Sequence, residues 1–248
     1  LNYYFNEGFT YTVQPGDTYS MLANRFSVTP ENLYAVNPGV NPYFLNVGQP
    51  LFIPSSRFSQ NFHRQKECIT PREVELMRDE RSLWEEHVAW TRMAIISLTF
   101  NLPDVDFVIA RLLQNATHMG DMFRPIYGDA AASTYADLIK EHLLVAADLV
   151  KAAIAGDSQA ATEAEELWYH NADKIAEFLS NINPYLQEEK VRDMFYTHLN
   201  LTKQEAITMI NKDYQKDIAI YDEIEKQARE MADMISEAMI KLYPDLQR

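Results

Sequence analysis

The sequence predicts an α+β chain in two parts: a small βααβ domain over residues 9–56, a linker over 57–69, and a larger all-α helical bundle over 70–248 with about six helices, four of them long. Three observations carry this reading. Composition shifts near residue 60: the first sixty of the 248 residues hold four of the seven glycines, six of the eleven prolines and no lysine. Strand-like stretches are read at 9–13 and 47–54, and from Thr70 to Leu242 every segment reads as helical. Hydrophobic residues make up 47% of the chain, enough for a packed core.

Charge divides the same way. Of the formal net charge of −14, Glu7, Asp17, Glu31, Arg25 and Arg57 leave only −1 on the first sixty residues. An acidic field of this size excludes phosphate neutralisation, so no nucleic-acid partner is expected, nor docking on anionic lipid. No apolar run reaches the length that spans a bilayer, so no membrane insertion is expected. "LNYYFNEG" has neither a basic start nor an apolar stretch, so no signal peptide is read there. Cys68 is the only cysteine, which excludes an internal disulfide and a CxxC metal site.

In the small domain, "FTYTV" (9–13) reads as a strand and "QPGD" as a turn with Gly16 free to take positive φ. Asp17 is placed to cap a helix that begins at Thr18. "TYSMLANRF" puts Met21, Leu22 and Phe26 on one face. Thr29 then caps a second helix with Pro30 at its first position, and Leu33 and Val36 point inward. "VGQPLFIP" (47–54) is the closing strand.

In the bundle, "TPRE" (70–73) announces a helix with a capping box. Helices are expected near 70–101, 104–118, 129–155, 158–181, 187–199 and 202–242. The breaks fall at Pro103, Gly120, Pro125, Gly128, Gly156 and Pro184. Thr202-Lys203-Gln204-Glu205 reads as a second capping box that opens the last helix. The inner faces carry unusual polarity. His87 falls within the stripe Trp84, Val88, Thr91, Ile95 and Leu98. His142, Asn171 and His198 occupy similar mid-face positions, and Asn115 adds another inward amide. "LWEEHVAW", "LIKEHLLVAA", "LWYHNADKIA" and "MFYTHLNLTK" look alike, which hints at an internal repeat. Buried polar groups must find partners. The inner set therefore reads as a structural polar network, a small-molecule pocket, or a transition-metal site with His87, His142 and His198 as nitrogen ligands and Glu205 as an oxygen ligand. No ExxH pair of the di-iron type accompanies them. His63, His118 and His170 read as peripheral, and Arg92 as half of a surface ion pair.

The stretch "YTVQPGDTYSMLANRF" followed by "NPGVNPYFLNVGQPLFIP" resembles the LysM domain. Gly16-Asp17-Thr18, Asn37-Pro38, Gly48-Gln49 and Ile53-Pro54 stand in that family's order and spacing. The resemblance implies binding of N-acetylglucosamine polymers, peptidoglycan or chitin, in a groove between two loops. Here these are Gly16, Asp17, Thr18 and Tyr19 on one side and Asn41, Tyr43, Phe44, Leu45, Asn46 and Val47 on the other. Backbone groups on rigid turns can read the sugar amide while aromatic rings cover its methyl group. One shallow groove binds weakly, so several copies or a homo-oligomer would supply avidity.

"HVAWTRMAIIS", "EHLLVAADLV", "NADKIAEFLSNINPY" and "HLNLTKQEA" resemble the C-terminal part of LysM proteins from spore-forming Firmicutes. That resemblance implies a cell-wall or spore-surface setting and no assigned chemistry. The function expected is wall binding with the bundle as a structural or ligand-binding payload. The alternative is a metal-dependent enzyme or peptidoglycan hydrolase with its site inside the bundle. The bundle lacks the Cys-His pattern of cysteine peptidases and the HExxH of zincins, and no pair of carboxylates stands out for glycoside hydrolysis.

Overall fold

A computed structural model of the chain describes residues 8–41, 45–54 and 69–243. Strand β1 (Gly8–Thr12), helices α1 (Tyr19–Arg25) and α2 (Pro30–Ala35) and strand β2 (Pro50–Pro54) are followed by α3 (Pro71–Thr99), α4 (Val105–Ala155), α5 (Ser158–Ile182), α6 (Glu188–Ile210) and α7 (Tyr214–Leu242). The protein is therefore a small βααβ region followed by a large helical one. Two compact units result. One holds the described residues up to Glu75, with Asn181–Tyr185 and the described residues from Glu237; the other holds Leu76–Ser180 and Leu186–Ser236. The stretch read as a linker lies outside the described residues except for Ile69, as do Cys68 and His63.

In the βααβ region, β1 and β2 pair antiparallel from Gly8↔Pro54 to Thr12↔Pro50. The ladder extends one step further: the Val13 N–H donates to Gln49 O at 3.0 Å and the Gly48 N–H to Val13 O at 2.8 Å. Leu22, Leu33, Leu51, Ile53 and Val13 form a core exposed by 1% or less. Met21, expected inward, is 50% exposed. The cap of α1 is Thr18, whose hydroxyl accepts from the Met21 N–H at 3.2 Å. Asp17, expected as that cap, instead closes the preceding turn. It accepts from the Gln14 N–H at 2.7 Å and from the Tyr11 hydroxyl at 2.8 Å. Asn37 is buried between the end of α2 and β2. It donates to Leu33 O and Phe52 O and accepts from the Phe52 N–H, each at 2.7 Å.

The helical region begins as the sequence predicts. The Thr70 N–H donates to Glu73 Oε2 at 2.8 Å and the Glu73 N–H to Thr70 Oγ1 at 3.2 Å, a reciprocal capping box. Two expected breaks do not occur. Helix α4 passes through Gly120 and Pro125 and departs from helical geometry at Gly128, where φ is 83° and ψ 172°. Gly120 is instead a packing position: a Cβ there would lie 2.6 Å from Ala132 O and 2.7 Å from Ala136 Cβ. Helix α6 likewise runs through Thr202, so Thr202–Glu205 caps nothing. The last helix starts at Tyr214, where Asp213 Oδ1 accepts from the Lys216 N–H at 3.3 Å.

The helices form three successive hairpins: α3 with the first half of α4, the second half of α4 with α5, and α6 with α7. Each hairpin turns through the same motif. A left-handed residue ends the first helix, Asn101 (φ 49°), Gly156 (φ 72°) or Lys212 (φ 60°). The next N–H then reaches back to a carbonyl: Leu102 to Ser97 at 2.9 Å, Asp157 to Ala152 at 3.0 Å, Asp213 to Thr208 at 2.9 Å. This is the six-to-one bond that closes helix ends with a left-handed residue. Equivalent turns thus recur about every 56 residues, at Asn101, Gly156 and Lys212.

Candidate functional site

The two loops expected to form a glycan groove leave the same end of the β1–β2 ladder, because the Gly48 and Gln49 backbone is bonded to Val13. Gly16 takes φ 86° and Gly48 φ 87°, conformations that favour glycine and leave the backbone uncovered. Gly16, Asn41, Asn46 and Val47 are exposed; Asp17, Thr18 and Leu45 are half-buried. Asn46 is held in its turn by Gln49, whose side-chain oxygen accepts the Asn46 N–H at 3.1 Å. Burial pushes the Asp17 carboxyl up, but the Gln14 N–H, the Tyr11 hydroxyl and Arg25 outweigh this and hold it below its usual value. Tyr19 differs from the expectation of a surface ring: it is 3% exposed and packs in the core of the unit. Its hydroxyl is buried with no hydrogen-bond partner among the described residues. Tyr43 and Phe44 lie outside the described residues.

The inner polar residues of the bundle form three copies of one clamp. In each, a histidine Nδ1 faces a side-chain carboxamide oxygen 28 or 29 residues later: His87 with Asn115 at 3.1 Å, His142 with Asn171 at 2.9 Å, His198 with Gln227 at 3.0 Å. In each, the amide nitrogen donates to the carbonyl one turn before the histidine: Asn115 to Leu83 at 2.9 Å, Asn171 to Leu138 at 3.1 Å, Gln227 to Met194 at 3.0 Å. Because that N–H is committed, the carboxamide oxygen must face the ring, and Nδ1 must carry the proton. After each carboxamide comes an alanine, Ala116, Ala172 or Ala228, with 0% exposure. A larger side chain would hold the paired helices apart.

His87 and His198 lie with ring centroids 5.8 Å apart, both beside Trp84, and His142 packs edge-on against Phe195, which also meets Trp84. Burial pushes His87 and His142 down to about 3 and His198 down to about 4, so all three are neutral at physiological pH. His142 Nε2 accepts from Trp168 Nε1 at 3.1 Å, which occupies both of its ring nitrogens. Among the described residues no group of three or more His, Cys, Asp or Glu side chains is arranged to hold a metal ion. Glu205, considered as an oxygen ligand, is an ion-pair partner instead. Arg92 reaches Glu205 at 2.6 Å and Asp217 at 2.6 Å, and both carboxylates are 1% exposed. Tyr221 covers the guanidinium at 4.7 Å. The expected surface pair of Arg92 is thus a buried tie between α3, α6 and α7. His118 and His170 are exposed, in line with a peripheral role.

Gln227 and Trp168 are not among the site residues expected from the sequence. Gln227 had a signal: "KQAREMADMI" aligns with "QNATHMGDMF" and "HNADKIAEFL", a carboxamide followed by alanine and then apolar residues at helical spacing. In the same light, "LWYHNADKIA" is not a fourth histidine element; it supplies the partner of His142.

Among the described residues no helix is long and apolar enough to cross a membrane. No curated protein and no solved structure matches the chain. Residues 11–54 match the LysM domain, which implies peptidoglycan or chitin binding and association with the cell wall, and a helical region follows them.

Proposed function

We propose that this chain is a non-enzymatic wall-binding protein, with residues 9–56 as its glycan-binding domain and residues 70–248 as a helical payload. The LysM match over residues 11–54 carries the reading. The placement of two glycine-turned loops at one end of the sheet supports it. The exposed backbone at Gly16, Asn41, Asn46 and Val47 reads the N-acetyl amide, with Tyr43 and Phe44 as the aromatic partners of the sugar. The histidines of the bundle serve as structural hydrogen-bonding groups, since each is committed to a carboxamide on the neighbouring helix. Oligomers would add avidity, and the resemblance of the bundle to LysM proteins of spore formers favours a bacterial wall or spore surface.

The test is cosedimentation of the full chain with purified peptidoglycan and with chitin, competed by soluble N-acetylglucosamine oligomers. Binding that the oligomers compete is expected. Val47 is 63% exposed, so Val47→Asp should weaken binding at least several-fold while leaving the thermal midpoint unchanged. A chain that stays in the supernatant with both polymers would refute glycan binding. Binding indifferent to Val47→Asp would place the groove elsewhere on the domain.

A further inference from the structure

The helical unit holds a cavity of about 240 Å³. It lies on the hairpin-turn side of the histidine layer. Thr91, Ala146 and Thr202, one turn beyond His87, His142 and His198, line it, and so do Ile95, Val150 and Ala206, two turns beyond. All three hairpins therefore contribute equivalent positions. The volume exceeds the ~150 Å³ at which a dry apolar cavity already takes up benzene.

Three features of the wall define an occupant. Most of the lining is aliphatic, with Leu112 and Leu143 adding to the residues named above. Thr202 lines this space at 6% exposure, and its hydroxyl oxygen is buried with no partner among the described residues. Thr91, at the same position of the first hairpin, donates its hydroxyl to His87 O at 2.8 Å; Thr202 makes no such bond. Among the described residues of the lining the single cation is Lys203, already bound by both oxygens of Glu165 at 2.5 and 2.7 Å. An anionic ligand would have to break that pair, and it would approach a chain of net charge −14.

We propose that this cavity is a binding site for a neutral amphiphile: a hydrocarbon body larger than one aromatic ring, with one hydroxyl or carbonyl group that pairs with Thr202. An unpaired buried hydroxyl is unfavourable, and a ligand oxygen supplies the missing bond. Leu144 and Ile207, which line the cavity, are 49% and 42% exposed and give an apolar entrance. The site does not depend on the glycan reading.

Fluorescence titration of the full chain with 1-aminoanthracene, a neutral aromatic probe, tests the assignment. One saturable site per chain is expected, with 1-octanol displacing the probe and octanoate doing so at least tenfold more weakly. Ala206→Phe fills the centre of the cavity and should abolish binding. Should that variant lose its helical circular dichroism, Ala146→Phe fills the space from a different helix. Thr202→Val keeps the shape and removes the hydroxyl; it should weaken octanol about three- to tenfold, the worth of one hydrogen bond. Absence of saturable binding would overturn the proposal. So would probe binding that survives in folded filled variants, or octanoate displacing as well as octanol. Probe binding that appears only when residues 55–68 are deleted would also overturn it, since the chain itself would then fill the site.

Discussion

Glu80 is 2% exposed, one turn before Trp84, and its Oε1 has no hydrogen-bond partner among the described residues. Burial, with Asp79 nearby, pushes its carboxyl up to about 8 from an ordinary 4.5. Between those values the folded chain holds a proton that the unfolded chain has released. This group therefore favours the folded state at low pH and loses that effect as pH rises through 8. The histidines act in the opposite sense: lowered by burial, they favour folding above about 6.5, and that stability is lost as pH falls below it. Lowering pH from 8 to 6.5 should therefore raise the stability of the native chain relative to Glu80→Gln by at most about 1.4 kcal/mol per pH unit, and its thermal midpoint with it. Below 6.5 both proteins should lose stability. Scanning calorimetry of the pair across this range decides it, and equal midpoint shifts would mean that Glu80 is charged in the fold. Helical periodicity put His87, His142 and His198 at inner positions. It carried no such warning for Glu80, because an acidic residue in "RDERSLWEEH" reads as solvated surface until a neighbouring helix covers it.

At the scale of an element, local signals worked where the chain alone satisfies them. Thr70 and Glu73 bond to each other, and Gly156 closes its own helix. They failed where a second element competes. Glu205 fits a capping box with Thr202, yet Arg92 on another helix holds it at 2.6 Å, and α6 continues through both residues. Gly120 looks like a break because glycine weakens helices, but its lack of a Cβ serves the approach of the backbone at Ala132. Gly120→Ala would gain helix propensity of about 1 kcal/mol and still destabilise the protein, because a contact of 2.6 Å to a backbone oxygen forces the helices apart. The expected net loss is about 1–3 kcal/mol in chemical denaturation. A stabilised variant would show that the helix pair yields at that point.

At the scale of the molecule, the three clamps tie each hairpin internally, and the rings of the first and third, His87 and His198, meet. Replacing Asn115, Asn171 or Gln227 by leucine leaves a histidine Nδ1–H unpaired, and each change should reduce stability by about 1–3 kcal/mol. Asn115→Leu and Gln227→Leu should not be additive, since His87 and His198 are ring neighbours at 5.8 Å. A double-mutant cycle by denaturant unfolding measures this coupling, and strict additivity would show that the clamps act independently.

Composition, turn residues and periodicity by themselves determined the division into a βααβ part and a helical part and the inward direction of the histidines; the order and spacing of short motifs carried the resemblance of the first part to the LysM domain. Those features depend on interactions within a few residues along the chain, where strand, turn and helix preferences act. Which amide meets which histidine, why Arg92 joins two buried carboxylates, where Tyr19 goes and that the hairpins enclose a cavity were decided only by the tertiary structure. A clamp joins residues on different helices, and a cavity is the space that several helices fail to fill. Neither exists until the helices pack, so neither leaves a signature in any single segment.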